Sequence, residues 1–230
     1  MKKRQLILTC EHAGNQVPEA YQYLFENKEK LLKSHRGWDP GAVQVADFLH
    51  HELQCPLFKN YTTRLLVECN RSVGNEALFS EISNVLKPSI KKYLLEKFYY
   101  SYRNQVAQTI AEAIKTGPIL HVSVHTFTPI FNGIERKLDV GILYDDARQN
   151  EVQFCEKWRD HFEQSLQHRT VALNLPYNGA DDGFTTYLRT LYDDTQYLGI
   201  EIEINQKYAR RPEMEEIQSA MKDFLKTVIV

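Results

Sequence analysis

Cysteine is scarce and scattered: Cys10, Cys55, Cys69 and Cys155 form no CxxC pair in a chain of 230 residues. That spacing reads as reduced thiols of a cytoplasmic protein rather than as a disulfide scaffold. Long apolar runs are missing as well, and none approaches the ~20 residues that cross a bilayer. After Met-Lys-Lys-Arg, the stretch QLILTCEH has only four or five apolar residues before charge returns, too few for the core of a secretory leader. A formal net charge of −2 without any basic block leaves no electrostatic footprint for nucleic acid. No repeat, low-complexity tract or Gly/Ser/Pro-rich linker divides the chain, so one domain over 1–230 is expected. GxGxxG, the P-loop and GxSxG are all absent, and His50-His51-Glu52-Leu53 lacks the second histidine of HExxH. Nucleotide-fold, zincin and serine-hydrolase readings therefore find no support.

What is present is enough for a core. Hydrophobic residues make up 43% of the chain, and they fall into short runs alternating with longer periodic stretches. Strands are predicted at 5–10, 57–60, 65–69, 119–125, 140–144 and 198–205, several of them apolar runs typical of strands covered on both faces. Helical periodicity occupies 18–34, 41–53, 89–115, 149–167 and the segment from Pro212 onward, where Glu213, Glu215 and Glu216 fill the first turn. Alternation of this kind predicts an α/β fold, a single three-layer domain with a mixed, mostly parallel sheet flanked by helices. Ligands of such sheets sit beyond the carboxyl ends of strands, so the loops there carry the search for chemistry.

The stretch HVSVHTFTP at 121–129 holds two histidines four apart, the spacing at which a helix places two imidazoles on one metal. Its β-branched neighbours favour a strand instead. In a strand, positions four apart stand ~13 Å from one another, whereas two nitrogens on one zinc lie only about 3.5 Å apart. His121 and His125 thus cannot share an ion. His125, at the strand end, is a candidate ligand or a hydrogen-bonded core histidine, and His121 reads as core.

Other strand ends and loops supply partners. His12 in CEHAGN precedes a glycine turn, where it serves either a ligand or the turn itself. Asp39 in HRGWDPGA is either a third ligand or a helix N-cap ahead of Pro40. Glu201, Glu203 and Asn205 share one face of a strand whose other face is Ile200, Ile202 and Ile204. Carboxylates on such a strand are costly to bury. They imply a polar cavity, with Glu203 nearer the strand end as a general base, or ion pairs with Arg64, Arg71 or Arg136. Asn70-Arg71 offers an amide and a planar guanidinium for a carboxylate or an oxyanion. Arg64 and Arg136 are either further anion contacts or structural ion pairs. The turn-rich 174–183 segment is a connecting loop or the wall of a pocket.

Taken in order, CEHAGNQVP, HRGWDPGA, TTRLLVECNRS, HVSVHTFTP, ERKLDVGILYD, NLPYNGADDG and GIEIEINQ resemble the N-formylglutamate amidohydrolase family over roughly residues 5 to 210. More distantly, the Asn-Arg pair and the strand-borne glutamate resemble zinc carboxypeptidases and aspartoacylase. The resemblance implies a zinc-exopeptidase-like fold, one Zn2+ per chain and hydrolysis of the amide of an N-acyl acidic amino acid such as N-formylglutamate. It implies His12 and His125 as metal ligands with Asp39 as the third. Position 15 is Asn where the carboxypeptidase His-x-x-Glu pattern has Glu, so Glu11 is the alternative carboxylate. It further implies Glu203 as general base and Arg71 as oxyanion or carboxylate contact, with Asn70, Arg64 and Arg136 binding substrate. The competing expectations are a hydrolase of another N-acyl amino acid or small peptide, and a non-catalytic protein that sequesters an acidic ligand.

Overall fold

The computed structural model describes residues 3–230. The apolar runs build a six-stranded sheet from β1 (Gln5–Cys10), β2 (Leu57–Lys59), β3 (Ile119–Phe127), β6 (Val140–Leu143), β7 (Val171–Leu173) and β8 (Tyr197–Asn205). The strand order is β2-β1-β3-β8-β6-β7. Every neighbouring pair is parallel except β6 with β8, which is antiparallel. The fold is therefore α/β with a mixed, mostly parallel sheet, as predicted. A separate hairpin of β4 (Ile130–Phe131) and β5 (Ile134–Glu135) stands outside it.

Helices cover both faces. On one side α2 (Ala42–Leu53), α5 (Gln149–Ser165) and α7 (Glu213–Val228) pack onto Leu6, Leu8, Val122, Val124, Ile200, Ile202 and Ile204. Burying a side chain such as Ile202 stabilises the fold by roughly 1.5–3 kcal/mol relative to exposure. On the other side α4 (Ser101–Ala113) and α6 (Phe184–Arg189) enclose Ile7, Ile119 and Tyr197 with Tyr102, Val106, Ile110, Phe184 and Leu188. A helix α3 (Pro88–Leu94), started by Pro88, leads through a wider π-type turn at Leu95–Tyr100 into α4. Among the described residues, no helix is long and apolar enough to cross a membrane.

Two expectations fail at the level of elements. Residues 65–69 form no strand but a turn: both edges of β1 are occupied, by β2 and β3, so this run has no ladder to join there. Its side chains still find burial, Leu65 and Leu66 against Tyr21, Phe25 and Leu94, and Val67 and Cys69 in the core under α4. The expected helix at 18–34 breaks into a 3-10 segment, Glu19–Phe25, and a short α1, Glu29–Leu32. Asn27 between them takes a left-handed conformation with φ of 60°, which no continuous helix tolerates.

Candidate active site

The register of β3 and β8 sets the centre of the site. His125 pairs with Glu203, and Ser123 with Glu201, so alternate residues of two adjacent buried strands turn four polar side chains toward the same face. His12 comes from the turn after β1. Asp39 comes from the loop before α2, whose N-terminus is formed by Gly41 at φ 98° without any side-chain cap. The capping role open to Asp39 is not used, and its carboxylate turns to the histidines instead.

Asp39 Oδ2 lies 3.1 Å from His12 Nδ1 and 3.0 Å from His125 Nδ1. The two rings sit 5.0 Å apart, centroid to centroid. One donor atom from each of the three residues falls within 4.8 Å of the others, and all three side chains are buried. Two imidazole nitrogens and one carboxylate oxygen are the donor set of a catalytic zinc with an open fourth position, so the residues fit such an ion.

Each histidine also has a partner on its far side. His12 Nε2 lies 2.6 Å from Glu68 Oε1, and His125 Nε2 lies 2.8 Å from Ser123 Oγ and 3.3 Å from Glu11 Oε2. The Ser123 hydroxyl is 2.5 Å from the same Glu11 oxygen, and Tyr102 donates to Glu11 Oε1 at 3.1 Å. Glu11, the alternative ligand, is thus wholly buried behind His125 and outside the His12–Asp39–His125 group.

The electrostatics follow from this pairing. Burial alone would raise the carboxyl pKa values. For Glu11 the hydrogen bonds from His125 and Ser123 outweigh it, for Glu68 the Arg64 and His12 charges do, and for Asp39 the two histidines and Arg64 do. All three are held well below the usual carboxylate range. Burial correspondingly works to lower His12 and His125, yet the neighbouring carboxylates raise both. His121 lacks such neighbours at contact distance and is lowered to about 4 by burial. It bonds Thr9 at 2.8 Å and Tyr197 at 2.7 Å, a core histidine as the strand geometry requires.

Glu203 is the exception. It is buried, and among the described residues its Oε2 has no hydrogen-bond partner. Burial raises its pKa to about 8, with Asp39 and Glu201 adding to the effect against the pull of His125. The ion pair with an arginine that would have explained it away is not formed. Its neighbour Glu201 is satisfied by the Thr185 hydroxyl at 2.6 Å.

A cavity of about 200 Å³ is lined by His12, Asp39, His125 and Glu203 together with Arg64, Asn70 and Arg71. Arg64 is committed: Nε is 2.6 Å from Glu68 Oε2, and Nη1 is 3.4 Å from Asp39 Oδ1. Asn70 Oδ1 accepts from the Phe184 backbone N–H at 2.7 Å. Among the described residues Arg71 donates only to main-chain oxygens, those of Asn70 at 2.7 Å and Asp182 at 3.0 Å. Its segment is pinned from below by Arg103, which donates at 3.1 Å to the carbonyls of both Cys69 and Arg71, and by the Tyr99 hydroxyl at 2.8 Å. The 174–183 loop does form a wall, contributing Tyr177, Asn178, Asp181 and Asp182. Arg136 stands one residue further out, stacked 4.5 Å over Phe131 and 5.2 Å over Tyr177, and donating to the Tyr177 hydroxyl at 3.1 Å.

Sequence reasoning passed over Glu68, Ser123 and Arg103. Glu68 had a usable signal, a carboxylate inside the apolar run LLVEC, the same argument that singles out Glu201 and Glu203.

The site sits on a three-layer α/β scaffold, and the comparison with known families gives its class, a hydrolase of amide bonds. Residues 4–209 match the model of N-formylglutamate amidohydrolase, and the chain belongs to that family. Among solved structures it is similar to a gene product of Agrobacterium tumefaciens, at 26% identity and a TM-score of 0.83 over 99% of this chain and 91% of that one. It also shares its fold with an N-formylglutamate amidohydrolase of Ralstonia eutropha JMP134, at 12% identity and a TM-score of 0.72 over 99% and 95% of the two chains. Comparison with curated proteins yields no match.

Proposed function

We propose that this chain is a zinc-dependent amidohydrolase that removes the acyl group from an N-acyl acidic amino acid, with N-formylglutamate as the type substrate. The observation that carries the reading is Glu203: a buried carboxylate with a free oxygen, in the same cavity as a His12–Asp39–His125 donor group. His12, Asp39 and His125 would hold the ion. When bound, zinc supplies a Lewis acid for the acyl carbonyl and lowers the pKa of water toward neutrality.

The protein's own groups do the rest. Glu203 takes the proton from the attacking water and returns it to the departing amine, the exchange for which a carboxylate of raised pKa is suited. Arg71, fixed by two main-chain carbonyls, presents its remaining N–H groups to the oxyanion or to a substrate carboxylate. Asn70 adds its amide N–H, and Arg136 at the rim adds a second cation for an acidic side chain. A cavity of about 200 Å³ suits a small acylated amino acid.

The test is a metal analysis of the purified chain with a panel of N-acyl amino acids, following release of the free acid. One equivalent of zinc is expected, lost in His12→Ala, Asp39→Ala and His125→Ala. Glu203→Gln should keep the metal and lose turnover by roughly 10²–10⁴-fold, the usual contribution of a general base. Metal bound with no hydrolysis of any panel member would replace the enzyme by a protein that sequesters an acidic ligand.

A further inference from the structure

Four side chains, two of them candidate ligands, close into a ring. His12 Nδ1 faces Asp39 Oδ2, Asp39 Oδ1 faces Arg64 Nη1, Arg64 Nε faces Glu68 Oε2, and Glu68 Oε1 faces His12 Nε2. The Asn70 backbone N–H donates to Glu68 Oε1 at 2.9 Å and fixes the glutamate within the ring. On the other side of the cavity a shorter chain runs from His125 Nε2 to Ser123 Oγ to Glu11 Oε2, with Tyr102 holding the second Glu11 oxygen. In both chains the two Nδ1 atoms converge on the one Asp39 oxygen, and both Nε2 atoms point away.

An ionised carboxylate only accepts hydrogen bonds, so the ring nitrogen facing Glu68 must carry its proton. A serine hydroxyl has a single proton. With that proton given to Glu11, Ser123 Oγ can only accept from His125 Nε2–H. Both Nε2 atoms are thereby committed as N–H donors, whereas the proton that each Nδ1 directs at the Asp39 carboxylate is the one an ion would displace on taking that nitrogen. Carboxylate partners behind ligating histidines orient the ring and raise its basicity.

We infer that Glu68, clamped by Arg64, and the Ser123–Glu11 pair are positioning residues that make Nδ1 the metal-binding nitrogen of both His12 and His125. Arg64 on this reading serves the metal centre: it balances Glu68 and the outer oxygen of Asp39, and it is not available to a substrate carboxylate. The inference rests on the metal-site reading given above.

The test uses the full chain labelled with nitrogen-15 and loaded with cadmium-113 in place of zinc. Scalar coupling of the metal to Nδ1 of both His12 and His125, with a proton retained on each Nε2, is the expected result. In Glu68→Ala the His12 Nε2–H signal should broaden into exchange with water while that of His125 persists. Its zinc affinity, read by chelator competition, should fall roughly ten- to hundredfold. Should Glu68→Ala not fold, Glu68→Gln makes the same comparison: it keeps an acceptor for Nε2–H but sets an amide NH2 against Arg64, so its zinc affinity also falls. Coupling through Nε2 of either histidine, or zinc affinity in the folded variant equal to wild type, overturns the inference while leaving the metal site standing. A wild-type chain that binds no metal overturns both.

Discussion

A carboxylate stripped of water with one oxygen unpaired resists ionisation, and Glu203 is that group in this protein. In the unfolded chain it titrates near ~4.3; in the fold, burial pushes it up to about 8. Below the lower value both states hold the proton and Glu203 is neutral in its effect. As pH rises between the two values, the unfolded chain releases its proton while the fold retains it, so folding becomes progressively less favourable. Above about 8 the penalty is full and constant. Glu203→Gln removes the titration and therefore should gain stability over the metal-free wild type, little at pH 5 and most at pH 9. Thermal melts in a chelator at the two values check this, and a gap that narrows toward pH 9 would show that Glu203 is not held neutral by its surroundings. The sequence already named Glu203, His12, Asp39 and His125 as candidates, Glu203 as a carboxylate on an apolar strand, the two histidines at strand ends and Asp39 in the loop before a predicted helix. It could not mark Ser123, whose role exists only because a parallel neighbour and Glu11 meet it in three dimensions.

Elements explain which expectations were legible. β1 carries a short apolar run, β3 and β8 alternate apolar with polar residues, and α2, α5 and α7 carry one apolar face each, so period and length identify them. The 65–69 run shows the limit: apolar sequence reports burial, not a ladder of hydrogen bonds, and the sheet had no vacant edge beside β1. β7 and the β4–β5 hairpin are only three and two residues long per strand, too short to show a period. The 174–183 loop owes its place to close backbone approach. A Cβ at Gly179 would run into the Tyr144 main chain, and one at Gly141 would run into the Leu175 carbonyl. Asn174 Oδ1 ties the same region by accepting from the backbone N–H groups of Tyr144 at 2.9 Å and Gly179 at 3.2 Å. Gly179→Ala should therefore push the loop off β6, costing ~1–3 kcal/mol as overpacking does. Because Tyr177, Asn178 and Asp182 move with it, KM should rise more than kcat falls. Denaturant unfolding with steady-state kinetics reads both, and wild-type values for each would show that the loop yields without cost.

At the scale of the whole molecule, the candidate ligands knit distant parts of the chain together. His12 and Asp39 are 27 positions apart, and Asp39 and His125 are 86 apart, yet all three meet above one sheet with a core on each face. An ion held there can bind only the folded arrangement, so its binding free energy adds to the stability of the whole fold rather than to one loop. At a free zinc concentration one hundred times Kd the gain is about 2.7 kcal/mol. For a chain of this size each kcal/mol raises the melting temperature by roughly 2–4 °C, so zinc should lift it by roughly 5–11 °C, and a chelator should reverse the shift. If residues 1–230 are one domain, as we propose, a single cooperative transition moves as a unit with and without metal. His12→Ala should melt in one transition that zinc leaves in place, because the ring and the donor group both lose a member. Calorimetry distinguishes the alternatives: two transitions of which only one responds to zinc would divide the chain into separate folding units, and a zinc shift retained in His12→Ala would move the metal to other ligands.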